Sequence, residues 1–127
     1  MVRPDKRNWK NCCWCFASVS AGCGAAAGLA YLQGGDYDTV AHTVVNTVAM
    51  DSGIICDGAK ASCAAKIAAA VECALLGLEM ARGEHVFQPG EGLVKDNVED
   101  TIRSVGRMGR DGMKETDIEI LNIMLGK

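Results

Sequence analysis

Seven cysteines are the residues of this chain best suited to chemistry, because thiolates bind iron and zinc. They are Cys12, Cys13, Cys15, Cys23, Cys56, Cys63 and Cys73. An iron-sulfur cluster needs thiolates from separate elements, since its iron atoms point in divergent directions. Cys56 and Cys63 are seven residues apart, with Cys56 in the turn-like Cys-Asp-Gly and Cys63 about one turn into the following helix, so both could face one pocket. A third thiolate would then come from the group at positions 12 to 15.

The spacing of these cysteines leaves two interpretations open. It matches neither the C-x2-C pairs of zinc ribbons nor the C-x2-C-x2-C run of bacterial ferredoxins. A buried thiol can also pack as a small hydrophobic group. We interpret Cys23 and Cys73 in that way, because each lies inside a helical pattern with no second thiol nearby. For Cys56 and Cys63, spacing alone favours neither packing nor metal binding.

The composition indicates a compartment and disfavours two classes of partner. No apolar run of signal-peptide type follows the basic stretch 1–10, so we expect a cytoplasmic protein whose thiols bind metal rather than form disulfides. The net charge of -3 disfavours nucleic acid as a partner. The apolar stretch 16–32 carries serines, glycines and a cysteine where a membrane span favours leucine and isoleucine. It predicts a buried helix, and no membrane partner.

The elements that must position the cysteines are predicted to be helices. An Ala/Gly-rich helix covers 13–32, and a second helix, capped by Asp36 or Asp38, runs to Asp51. A third, rich in alanine and leucine, covers 59–81. No stretch alternates as a strand would, so the predicted class is all-α: a compact bundle of about five helices with a buried Ala/Gly-rich helix pair.

The last third of the chain is predicted to contain a loop and two further helices. Residues 82–92 hold three glycines and a proline, and within this loop His85 is a candidate functional residue. Helical spacing from Val98 then ends at Gly109. Thr116 and Glu119 form a candidate capping box for the final helix.

Four separated segments resemble the L-cysteine desulfidase family, which is related to the L-serine dehydratase alpha chains. They are GIICDGAKASCAAKIAAAV at 53–71, AGCGAAAGLAYLQGG at 21–35, QPGEGLVKDNVEDTI at 88–102 and GRMGRDGMKETDIEI at 106–120. Because all four occur in the family order, the resemblance covers nearly everything after Cys15.

The resemblance implies an oxygen-sensitive, all-helical enzyme domain that binds a 4Fe-4S cluster through three cysteines and leaves the fourth iron open to substrate. Cys56 and Cys63 correspond to the cysteines of the family's C-D-G-A-K-x-x-C motif. The remaining ligand corresponds to Cys15, with Cys13 as the alternative, because NCCWCF departs from the family pattern. The implied reaction is β-elimination from L-cysteine or L-serine, which gives pyruvate and ammonia plus sulfide or water. Lys60 and His85 are the candidate catalytic residues.

Family members are several times longer than this chain, and the base that acts on the substrate belongs to their N-terminal portion. We therefore expect residues 1–11 to be a disordered extension outside the family pattern and 12–127 to be the C-terminal, cluster-binding part. Alone, the chain is expected to be inactive and to need an N-terminal portion or partner chain, with a homo-oligomer as a further expectation. The alternatives are a truncated noncatalytic helical remnant or interaction domain, and a structural zinc-thiolate site.

Overall fold

The described part of the chain is helical. A computed structural model describes residues 16–55 and 61–127. The α-helices are α1 (Phe16–Leu32), α2 (Tyr37–Asp51), α3 (Ala61–Arg82), α4 (Val98–Arg107) and α5 (Lys114–Met124). Within these two ranges no strand forms beyond an isolated bridge residue at Ile55. The predicted all-α class with about five helices is confirmed.

Helices α1 and α3 run parallel, with small residues at their contact. Three successive pairs share an offset of 48 residues: Ser18 with Lys66, Gly22 with Ala70, and Ala26 with Ala74. A Cβ atom at Gly22 would lie 3.1 Å from the Ala70 carbonyl oxygen, so this position has no room for a side chain. The backbones approach closely because glycine and alanine leave no bulk between them. This is the buried Ala/Gly-rich helix pair that the sequence predicts.

Helix α2 packs against both members of this pair and runs antiparallel to them. Val48 shares a buried cluster with Val19, whereas Val44, one turn earlier, shares another with Ala26 and Ala74. Asp36 caps the helix as expected, since its carboxylate accepts hydrogen bonds from the Thr39 N–H at 2.9 Å and from the Thr39 hydroxyl at 2.7 Å.

The buried side chain of Asn46 fastens the loop after α3 to the bundle. Its Nδ2 donates to the carbonyl oxygens of Gly77 at 3.3 Å and His85 at 2.9 Å, and its Oδ1 accepts from the Phe87 N–H at 3.1 Å. The Asn46 amide thus bonds three backbone groups, two of them in the predicted loop at 82–92 and one in α3.

The C-terminal helices differ from the sequence prediction at two points. Helix α4 does not end at Gly109: it passes into a π-helical segment, Met108–Gly112, in which Gly109 is buried. The predicted capping box of Thr116 and Glu119 is wrong, because α5 already begins at Lys114. Its N-cap residue is Met113, which makes no side-chain cap hydrogen bond. Instead, Met113 packs against the cluster that contains Val105.

One helix of the described ranges, α3, is long and apolar enough to cross a membrane when judged by length and composition alone. The same test is passed by core helices of proteins that never enter a bilayer. The stretch considered from the sequence, 16–32, forms the shorter helix α1.

Gly77→Ala is expected to destabilise the fold by about 1–3 kcal/mol, because overpacking a tight contact forces the neighbours to shift. The new Cβ would lie 2.6 Å from Thr47 Oγ1 and 3.1 Å from the Thr43 carbonyl oxygen. Gly24→Ala is the matched control: nothing lies within 4 Å of its Cβ position, and alanine favours a helix interior over glycine by roughly 1 kcal/mol. Urea unfolding followed by circular dichroism measures the free energy of unfolding, which should fall for Gly77→Ala and rise for Gly24→Ala. Equal changes in the two variants would contradict the packing described.

Candidate metal centre

Cys63 is the one proposed cluster ligand within the described residues. It is the third residue of α3 and is half-buried. Lys66 and Ala70 follow at three and seven residues, so Cys63 lies on the face that packs against α1. Cys15, its alternative Cys13, Cys56 and Lys60 lie outside the described residues.

Lys66 connects the three segments that carry the proposed ligands. Its carbonyl oxygen accepts a hydrogen bond from Ser18 Oγ at 2.9 Å, in the first turn of α1. Its ammonium group donates to the carbonyl oxygen of Ile55 at 2.7 Å. In sequence, α1 begins directly after Cys15, and Ile55 directly precedes Cys56. Lys66 thereby ties the start of α1 and residue Ile55 of the α2–α3 connection to α3, one turn beyond Cys63.

The parallel arrangement also gives this end of the bundle an electrostatic character. The N-terminal ends of α1 and α3 lie side by side, and each carries the positive pole of a helix dipole. Such ends favour anions, including thiolates and carboxylates. Chemically, this end of the bundle is suited to a negatively charged group.

Cys23 and Cys73 are placed differently and are held as neutral thiols. Burial, followed by the charge of Asp51, raises the pKa of Cys23 to about 11. Burial and the charges of Asp51 and Glu72 also raise the pKa of Cys73. Cys23 packs against both buried clusters of the bundle. Since metal ligation requires the thiolate, these environments suit the packing role that the sequence predicts for both residues.

Asp51 is a buried carboxylate that sequence reasoning missed. It ends α2 and faces α1 so closely that a Cβ at Gly22 would lie 2.7 Å from its Oδ2. Neither carboxylate oxygen has a hydrogen-bond partner within the described part of the chain, and burial raises the pKa of this group. In the sequence, Asp51 is only a polar residue at the end of an apolar helix, and such a residue is ordinarily expected to be exposed to solvent.

The two histidines do not join Cys63. His85 donates its backbone N–H to the Met80 carbonyl oxygen at 2.8 Å, near the C-terminal end of α3. The helical rise places Met80 roughly 25 Å from Cys63. His42 is exposed on α2. In residues 16–55 and 61–127, no group of three or more His, Cys, Asp or Glu side chains could hold a metal ion, but two of the three proposed ligands lie outside these ranges.

Comparison with known proteins identifies the class. The model of the serine dehydratase alpha chain family matches residues 11–122, so the chain belongs to this family. This result confirms the relation inferred from the four sequence segments.

The curated relatives are UPF0597 proteins. The one from Desulfitobacterium hafniense (strain Y51) is 55% identical over 109 residues, which cover 86% of this chain and 25% of the relative. Those from Finegoldia magna and Treponema denticola are both 47% identical, covering 86% and 85% of this chain and 26% and 25% of the relatives. The chain thus spans about a quarter of the length of these relatives. No solved structure matches it.

Cys23 should react with iodoacetamide about 100-fold more slowly in the folded chain than in the urea-unfolded chain at about pH 8. The nucleophile is the thiolate, and raising the pKa from 9.0 to about 11 lowers its population by that factor. Mass spectrometry of the Cys23 peptide after timed labelling measures both rates, with the unfolded chain as the control. Similar rates in the two states would contradict the buried environment of this thiol.

Proposed function

We propose that this chain is the iron-sulfur-binding part of a β-eliminating lyase of the L-cysteine desulfidase or L-serine dehydratase type. In this proposal Cys15, Cys56 and Cys63 hold a 4Fe-4S cluster. Membership of the serine dehydratase alpha chain family supports the class of reaction. The observation that carries the site is the junction at Lys66, where the segments that follow Cys15 and precede Cys56 both bond to α3 close to Cys63.

The register of α1 on α3 supports Cys15 over Cys13 as the first ligand. The offset of 48 residues holds from Ser18 and Lys66 onward along both helices. The same offset pairs position 15 with position 63 in the sequence, whereas position 13 would pair with Ala61. Cys15 is three residues before Ser18, as Cys63 is three residues before Lys66, so the two cysteines have the same sequence separation from the Ser18–Lys66 contact.

The chemistry of the donor set fits a cluster. Three thiolates from separate segments can reach three iron corners, and the adjoining N-terminal ends of α1 and α3 stabilise their negative charge. When bound, such a cluster with one iron free of protein ligands supplies a Lewis acid that polarises the bond to the substrate's β-hydroxyl or β-thiol group. The substrate carboxylate would meet the same favourable field at the two helix ends.

Elimination also requires removal of the α-proton. Lys66 lies one turn from Cys63, but its ammonium group donates to the Ile55 carbonyl oxygen at 2.7 Å. His85 lies at the other end of α3. We propose that the base belongs to the part of the relatives that this chain does not span. With that part present, loss of the α-proton and of the β-hydroxyl or β-thiol group yields an enamine, which hydrolyses to pyruvate and ammonia. By itself the chain should form little or no pyruvate from L-serine or L-cysteine.

Anaerobic reconstitution with ferrous iron and sulfide tests the ligands. The unaltered chain should incorporate iron and sulfide and turn brown, and Cys63→Ser should abolish this, because a hydroxyl group is a poor iron ligand at neutral pH. Cys73→Ser, on the same helix, is the matched control and should incorporate both. In the second pair, Cys15→Ser should lose the cluster and Cys13→Ser should keep it. Iron and sulfide analysis with a visible spectrum measures all four.

Three results would overturn this assignment. Undiminished incorporation of iron and sulfide by the Cys63→Ser chain would show that Cys63 is not a ligand. Tight binding of zinc, with no colour and no sulfide under the same anaerobic conditions, would favour a structural zinc-thiolate site. Failure of every form to bind metal would favour the noncatalytic remnant or interaction domain.

A further inference from the structure

Helix α3 carries an apolar face that the described helices leave uncovered. Ile67, Val71 and Leu75 follow one another at four-residue intervals, and their exposed fractions are 38%, 37% and 41%. Ala64 and Ala68 are exposed beside them. We call these five residues the α3 stripe. Among the described helices, α3 packs only against α1 and α2, along a line through Ala70 and Ala74 that runs beside the stripe.

A contiguous apolar surface of this kind, bordered by charge, is typical of a docking site. Glu72 and Glu79 border the stripe on its solvent side and are exposed. The length of the family supplies an occupant, because the curated relatives have about three quarters of their sequence outside the region matched by this chain. We infer that the α3 stripe is the surface on which this remaining part of a serine dehydratase alpha-type chain docks.

Two other occupants fit less well. A second copy would bring its own acidic border, Glu72 and Glu79, to the same interface, and like charges across an interface oppose association. A bilayer would have to accept a helix whose adjoining face is committed to α1 through the Ser18–Lys66 hydrogen bond and the contact at Gly22.

The position of the stripe adds a consequence that rests on the proposed function. Cys63 lies four residues before Ile67 and seven before Ala70, so it lies where the stripe adjoins the α1 contact at the N-terminal end of α3. A part docked along the stripe would reach the proposed cluster and could bring the missing base to it. The docking surface itself rests only on exposure and on family membership.

Site-specific labelling tests the inference without any cluster. Leu75→Cys is made in this chain, and the aligned position is changed to cysteine in the full-length Desulfitobacterium hafniense relative. Maleimide labelling of that peptide, followed by mass spectrometry, should be at least about tenfold slower in the full-length relative, because its remaining part covers the stripe. Glu79→Cys is the matched control on the same helix and should label at similar rates in both proteins. Circular dichroism checks that each variant is folded.

The other occupants appear as distinct outcomes of the same assay. Equal labelling of position 75 in the two proteins would overturn the inference. So would protection that develops in this chain alone as its concentration rises, which would indicate a second copy. Protection of this chain by phosphatidylcholine vesicles would indicate a bilayer and would overturn it as well. Loss of cluster binding in the separate cysteine variants would leave this result unchanged.

Discussion

The parallel contact between α1 and α3 is the constraint on which the rest of the described structure depends. It is possible only because the contact positions are occupied by Ser18, Gly22 and Ala26 on one helix and by Ala70 and Ala74 on the other. Larger side chains would separate the backbones and break the hydrogen bond from Ser18 to Lys66. Parallel neighbours place like poles of their dipoles together, an arrangement that costs energy unless a negative group lies between them. The fold is thus suited to an anion at that end.

A second energetic cost lies beside this contact, at Asp51. Its carboxylate is buried against Gly22 without a hydrogen-bond partner among the described residues, and burial raises its pKa. Burial of an unpaired charge opposes folding unless the group takes up a proton. A folded-state pKa above the unfolded value means that Asp51 opposes folding increasingly as the pH rises through the unfolded value. The absence of a side chain at Gly22 therefore permits both the close contact with α3 and the position of the Asp51 carboxylate.

Sequence patterns predicted the elements well and their spatial relations poorly. Helix α2, its cap at Asp36 and the loop after α3 follow from local rules about capping, apolar spacing and glycine. The parallel register of α1 does not, because an Ala/Gly-rich helix is apolar around its whole circumference and marks no single face. The hydrogen bonds of the Asn46 side chain could not be predicted either, since their partners at Gly77, His85 and Phe87 are far away in the sequence. The start of α5 was missed because Met113 docks through tertiary packing that no capping motif encodes.

The central claim is that α1 and α3 bring Cys15 and Cys63 together, and disulfide trapping in the metal-free chain measures this most directly. In a Cys56→Ser chain oxidised under mild conditions, a Cys15–Cys63 disulfide should predominate, because a bridge requires Cα atoms within roughly 7 Å. The bond is located by mass spectrometry of unreduced peptides. A predominant bridge from Cys63 to Cys13 or Cys12, or no bridge from Cys63 to this group at all, would contradict the register and the proposed site.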